Sequence, residues 1–257
     1  MSQSSQDFAS TQYGPRAADY VSSSVHSNGA DLDQIEALVS GHPNAIALDL
    51  GCGGGHVSYR AAPHVARVVA CDVTPAMLEV VQKTAAERGL SNISVKQTSA
   101  ETLPFDAGTF DFVLCRFTTH HWQNMEAGLR EARRVLKPGG TAIFVDTVAP
   151  AIRVLDTHLQ AIELLRDISH IRNYSVAEWI SALSRSGFSL QSATIRKLHL
   201  EFGTWIARTR TSPDNADSIL RLQRNAPDIV REHFAVAADG SFDIECASFV
   251  VREAAAF

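Results

Sequence analysis

Five strand-like runs in the first 150 residues alternate with segments of helical character: "AIALDL" (45–50), "RVVACD" (67–72), "ISVKQT" (93–98), "FDFVLC" (110–115) and "GTAIFVD" (140–146). Strands separated by helix-length crossovers must run parallel, because a parallel pair cannot be joined by a tight turn. Between the runs, "PAMLEVVQKTAAERG" has Pro75 in its first turn and ends at Gly89, and "EAGLREARRVL" ends at the "KPGG" breaker, Lys137 to Gly140. Both read as crossover helices.

From Pro150 the pattern changes. A long amphipathic segment, "IRVLDTHLQAIELLRDI", leads to "YSVAEWISALSRSGF", a helix closed by Gly187, and "LQSATIRKLHLEF" reads as a long strand. A helical stretch from Trp205 to about Phe234 precedes the Asp239–Gly240 turn and a last strand, "FDIECASFVV". With 257 residues, 45% of them apolar, the chain is expected to bury one substantial core. The expected organisation is an N-terminal segment over 1–30 and a single domain over 31–257, with helical insertions near 151–174 and 204–236.

Charge and targeting signals exclude several partners. A net charge of −5 without a Lys/Arg cluster gives no general attraction to nucleic acid or anionic lipid. The N-terminus carries no basic segment followed by an apolar core, and no apolar run has membrane-spanning length. A cytoplasmic protein, monomeric or homodimeric, without nucleic-acid or membrane partners is expected. Cys52, Cys71, Cys115 and Cys246 are widely spaced and form no CxxC pair, so they read as buried free thiols, and no metal site is implied.

The stretch "LDLGCGGGH", Leu48 to His56, joins the first strand to a helix through four glycines. Glycines there let backbone N–H groups approach a ligand that a side chain would block, or serve tight packing. A dinucleotide fingerprint fails on register, since counting from Gly51 gives Gly53 and then His56, and a phosphate-binding loop would need Lys-Ser or Lys-Thr after the glycines. What remains is Asp-x-Gly-x-Gly-x-Gly, with Asp49, Gly51, Gly53 and Gly55, and a second acid, Asp72, closing the next strand. An acid in that place accepts the hydroxyls of a ribose, or caps the helix beginning at Pro75.

In order and spacing, "LDLGCGGGH", "VVACDVTPAML", "SAETLPFDAGTFDFV" and "EARRVLKPGG" resemble class I S-adenosylmethionine (SAM)-dependent methyltransferases, in particular the branch containing the ubiquinone/menaquinone C-methyltransferases. The resemblance covers about residues 40 to 190. It implies a Rossmann-like α/β fold: a seven-stranded, mostly parallel sheet with helices on both faces and the last strand antiparallel, plus an N-terminal helical lid and a helical insertion before the last strand. It implies SAM as cofactor, S-adenosylhomocysteine as product and a small-molecule acceptor. Asp49 would organise the loop and the methionine amino group, with Gly51 and Gly53 alongside the cofactor. Asp72 would hold the ribose hydroxyls, Val73 and Met77 would flank the adenosine, and Ala100 would offer its N–H to adenine beside Glu101. Arg116 would sit close to the methionine moiety. Ser99 stands where many relatives carry Asp, and its hydroxyl would make a neutral contact in place of a charged one.

Methyl transfer from a sulfonium is an in-line displacement, so the protein must align the acceptor, exclude water and supply a base where the nucleophile carries a proton. Ligands bind at the carboxyl ends of the strands in open sheets of this type. That requirement points to His120 and His121 in "CRFTTHHWQNM" and to Asp146 at the end of the fifth strand, with Trp122 as a pocket wall. Asp156, Gln160, Glu163 and Asp167 share a face at helical spacing and read as a solvated surface, while His170, Arg172 and Tyr174 follow just beyond and are candidates to meet the acceptor. Tyr13, Arg16 and Tyr20, ahead of an expected N-cap at Asp31, are spaced to share one helical face and fit either a cover over the cofactor or an N-terminal helix packed permanently on the sheet. Two alternatives stay open: nonmethylating chemistry on SAM itself, by cyclisation or elimination, and SAM binding without turnover.

Overall fold

The computed structural model describes residues 29–254. Helix α1 (Ala30–Val39) leads into β1 (His42–Leu50), α2 (His56–Ala61), β2 (Val65–Asp72), α3 (Pro75–Glu87), β3 (Ile93–Gln97) and β4 (Phe110–Arg116). The chain continues through α4 (Met125–Val135), β5 (Leu136–Val148), α5 (Arg153–Arg166), α6 (Val176–Arg185) and β6 (Phe188–Leu200). Three helices, α7 (Phe202–Thr209), α8 (Pro213–Arg224) and α9 (Asp228–His233), precede β7 (Phe242–Glu253). Among the described residues the strands form one seven-stranded sheet in the order β3-β2-β1-β4-β5-β7-β6. Neighbours are parallel from β3 to β5, and β7 runs antiparallel to both β5 and β6.

Strand periodicity divides the core. Leu48, Leu50, Val113, Cys115, Ala142 and Phe144 face one side and pack with Leu129 and Ala132 of α4 and Trp179 and Leu183 of α6. The alternate residues Ala47, Phe112, Leu114, Ile143 and Val145 face the other, against Leu32 and Ile35 of α1 and Val57 of α2. The central strands are therefore apolar on both faces, which is why they read as continuous runs. A third cluster joins Leu155 and Leu159 of α5, Trp205 of α7 and Ile219 of α8 to Leu200, Phe242 and Ile244. Those last three residues lie at the end of β6 and the start of β7, so this helical group stands over the carboxyl edge of the sheet.

Strand order reverses at β1, which pairs with β2 on one side and β4 on the other. The crevice at the carboxyl ends of β1 and β4 is thus the topological switch point, where sheets of this kind bind ligands.

Several local expectations change. Asp31 does not cap α1; it lies inside the first turn, and its buried carboxylate pairs with Arg116. The "KPGG" stretch is taken into β5: the ladder begins at Leu136 opposite Phe110, shifts register and resumes at Thr141 opposite Phe112, with Gly139 at φ +77°. The expected single helical stretch over 205–234 is three helices, because Arg210 turns left-handed at the end of α7 and Pro227 precedes α9. The acids of α5 are not a solvated face, since Glu163 and the following Asp167 are buried. Tyr13, Arg16 and Tyr20, with the expected lid, lie outside the described residues. No helix among the described residues is long and apolar enough to cross a membrane.

Candidate functional site

A cavity opens at the switch point, with about 1340 Å³ of empty space counted out to its mouth. One end is formed by the glycine loop after β1 and by the loops after β2 and β3, and includes Gly51, Gly53, Asp72, Val73, Met77 and Ala100. The other is formed by the loop after β4, the end of β5 and the helical group.

The two glycines of the loop serve different needs. At Gly51, φ is +73° and a Cβ would lie 2.4 Å from the Thr118 hydroxyl, so close packing of two loops requires it. At Gly53, φ is +47° and a Cβ would meet nothing within 4 Å, so the bare backbone borders open cavity. Asp72 ties the loop to the next helix: one carboxylate oxygen accepts from Gly53 N–H at 2.9 Å and the other from Thr74 N–H at 2.9 Å. Burial raises its pKa, and these donors pull against that shift. The Thr74 hydroxyl and the Val73 N–H pull in the same direction, so the carboxylate is held rigidly at the cavity edge. Ser99 and Glu101 also border this end, with Ser99 Oγ accepting from Glu101 N–H at 3.1 Å and the Glu101 carboxylate accepting from Gln123 N–H at 2.8 Å. An open backbone, a fixed acid and the apolar Val73 and Met77 fit a nucleoside.

Asp49 lies beneath the loop, 1% exposed, and accepts from both Ser58 N–H and Ser58 Oγ. Desolvation raises its pKa to about 7 against those bonds, and the like charge of Asp72 adds to the rise. The charge of Arg116 acts in the opposite sense on Asp49. Its guanidinium pairs with Asp31 and covers the Phe117 ring, outside the cavity lining.

At the second end His120 and Asp146 come together. The Nδ1 of His120 lies 2.6 Å from Asp146 Oδ1, and Asp146 also accepts from the His120 and Thr147 N–H groups. Burial alone would depress this imidazole, but the charge and hydrogen bond of Asp146 outweigh it and hold the pKa above the ordinary range. His121 lines the same cavity, yet its Nδ1 points to the Ser169 carbonyl at 3.1 Å. Burial, with the charge of His120 next, depresses it to about 4. His170 sits behind His120, its Nε2 bonded to Gln160, and burial pushes its pKa down to about 2. Neutral His121 and His170 therefore back one chargeable imidazole.

Arg172 and Tyr174 stand outside the lining. Arg172 is held by Asp156 and Glu178, and Ala149 N–H bonds the Tyr174 carbonyl, drawing that segment along β5 with Tyr174 packed on the main core. Asn173, between them, does reach the cavity, together with Thr147, Glu163, Arg166 and Trp205. These four and Asn173 were missed from sequence, because they belong to segments that only the fold brings together. Arg166 pairs with Glu163 at 3.3 Å, donates to the Trp205 carbonyl at 3.1 Å and lies over that indole. Trp122 forms a wall as expected. Among the described residues no group of His, Cys, Asp and Glu is arranged to hold a metal ion.

Comparison with known proteins adds an independent line. The family described as methyltransferase domain matches residues 48–144. The chain is 42% identical over 192 residues to the uncharacterized protein YafE of Escherichia coli, covering 75% of this chain and 93% of that one. It is 32% identical over 226 residues to the uncharacterized methyltransferase YcgJ of Bacillus subtilis, covering 88% and 89%. The crystal structure of YcgJ superposes with a TM-score of 0.84 over 88% of this chain and 99% of that one, at 30% identity. A shorter match, 35% identical over 108 residues, links it to the ubiquinone/menaquinone biosynthesis C-methyltransferase UbiE of Zymomonas mobilis, covering 42% of this chain and 45% of that one.

Proposed function

This chain belongs to the methyltransferase domain family, and from that premise we propose that it passes the methyl group of SAM to a small-molecule acceptor held in the same cavity. The observation that carries the reading is the continuity of one cavity from the glycine loop and Asp72 to the His120–Asp146 pair. When bound, SAM supplies an electrophilic methyl group on a sulfonium.

The chain's own residues divide the remaining work. Gly53 leaves backbone bare for close approach, Asp72 takes the ribose hydroxyls, and Val73 and Met77 flank the adenosine, with Ser99 and the Ala100 N–H toward the adenine edge. Asp49 supplies negative charge beneath the loop, toward the methionine ammonium. Asp146 accepts from His120 Nδ1–H and so fixes the tautomer, which leaves Nε2 as the basic nitrogen. Nε2 has no partner among the described residues and takes a proton from an acceptor that carries one. Asp146 then stabilises the imidazolium.

The reading extends to a cytoplasmic location, which the four free, buried cysteines support. Incubation of the purified protein with SAM and fractionated small-molecule extract, followed by mass spectrometry, tests the reaction. S-adenosylhomocysteine together with a methylated product is the expected outcome. Methylthioadenosine would indicate elimination on the cofactor, and neither product would indicate binding without turnover.

A further inference from the structure

We propose that Asn173 selects the acceptor atom, and that the acceptor is a hydroxy compound of phenol or enol type, methylated on oxygen; this rests on the reading of the cavity as a methyl-transfer site. Asn173 is 1% exposed and lines the cavity. Its backbone is fixed on both sides by one residue: its N–H donates to Gln160 Oε1 at 3.1 Å and its carbonyl accepts from Gln160 Nε2 at 2.8 Å. The side-chain amide is oriented as well, because the Thr147 hydroxyl donates to Oδ1. That leaves Nδ2, which is buried and has no hydrogen-bond partner. Buried amide donors are nearly always satisfied, so one held without a partner at a cavity wall marks where a ligand atom completes the bond.

The position of this donor relative to the base decides the chemistry. Thr147, which holds Asn173, follows Asp146 in β5 and donates its own N–H to Asp146 Oδ1 at 2.8 Å. Asp146 in turn holds His120. Donor and base are thus linked on one wall through three hydrogen bonds. A nucleophilic amine has one lone pair, which must be aimed at the methyl carbon, and its remaining N–H groups would oppose the Asn173 donor. A hydroxyl oxygen keeps a further lone pair to accept from Nδ2 while another attacks. Beside the Glu163–Arg166 pair, Leu198, Leu200, Ile244 and Trp205 give this end an apolar stretch that suits a ring or chain.

The step balances without a further reagent. The acceptor O–H proton passes to His120 Nε2, an oxygen–carbon bond forms as the carbon–sulfur bond of the sulfonium breaks, and the electron pair returns to sulfur. The proton then leaves the imidazolium to solvent. Asn173 Nδ2 donates to the oxygen while it carries negative charge.

Matched probes test this without knowledge of the natural acceptor. Native protein saturated with S-adenosylhomocysteine is titrated with 1-naphthol and with 1-naphthylamine, which share one ring system and differ in the polar atom. The expected result is binding of the naphthol about tenfold or more tighter than the amine. Asn173→Asp, which replaces the donor with an acceptor, and Asn173→Ala should each remove that preference while S-adenosylhomocysteine affinity stays within about twofold, which also shows that the variants fold. Equal or absent binding of the two probes by the native protein overturns the proposal, as does a preference that survives in both variants. Failure of S-adenosylhomocysteine to bind the native protein would overturn the methyl-transfer reading itself, and the proposal with it.

Discussion

The Nδ1 of His120 lies 2.6 Å from Oδ1 of Asp146, a pairing that brings the loop after β4 onto the end of β5. Asp146 is 1% exposed, and its charge holds the His120 pKa above the ordinary imidazole range against the opposing effect of burial. A base acts in its neutral form, so turnover is expected to fall as pH drops through that raised value. His120→Gln should lower turnover by roughly 10²–10⁴-fold with little change in S-adenosylhomocysteine affinity. Asp146→Asn should shift the acid limb of the rate profile to lower pH. An acid limb that stays in place in Asp146→Asn would separate the carboxylate from the base.

His121 gives the contrasting expectation. Burial, reinforced by the charge of His120, keeps it neutral down to about pH 4, so it contributes no ionisation to the profile between pH 5 and 9. His121→Asn is expected to lower turnover by misplacing the loop held at the Ser169 carbonyl, without moving the acid limb. Steady-state rates across pH check this, and a shifted limb would give His121 a titrating role.

Asp49 links cofactor binding to protons. Its pKa is raised to about 7 by desolvation, so folding favours its protonated form, and the stability this gives at low pH is lost as pH rises from about 4 toward 7. A ligand ammonium beside it favours the carboxylate, and S-adenosylhomocysteine affinity should therefore strengthen as pH rises toward 7 and level off above. Calorimetry in buffers of differing ionisation heat should detect proton release on binding below pH 7. The release should vanish in Asp49→Asn.

Gly128 sits inside α4, where Ala would ordinarily stabilise by about 1 kcal/mol. Here an added Cβ would lie 2.5 Å from the Trp122 ring, which forms a wall of the cavity. Overpacking of that kind costs about 1–3 kcal/mol, so Gly128→Ala is expected to lower stability on balance and to weaken ligand binding by displacing Trp122. Denaturant midpoints and S-adenosylhomocysteine titration measure the two effects. A more stable variant with unchanged binding would show that the indole moves aside freely.

The central sheet and the glycine-loop end of the cavity were legible because their determinants are local. Apolar strands buried on both faces, Pro75 at a helix start and glycines with positive φ leave their mark within a few residues. The end of the cavity beyond β4 and β5 was legible only in part. His120 and Asp146 were each visible at strand ends, yet their contact depends on the pairing of β4 with β5. Glu163, Arg166 and Trp205 come from helices stacked over the sheet edge and Asn173 from the segment after α5, and nothing near them in sequence distinguishes a cavity wall from a surface. The ion pair of Arg116 was hidden for the same reason: its partner, Asp31, is 85 positions away.

The most direct test of the account is calorimetric titration of S-adenosylhomocysteine into the native protein and into Asp72→Ala, with NAD as a control. The native protein should bind S-adenosylhomocysteine and give no heat with NAD. Loss of hydrogen bonds to a charged group, worth about 1.5–3 kcal/mol, should weaken binding to Asp72→Ala by roughly 10- to 150-fold. Equal affinity in Asp72→Ala, or binding of NAD at this site, would contradict the assignment of the cavity.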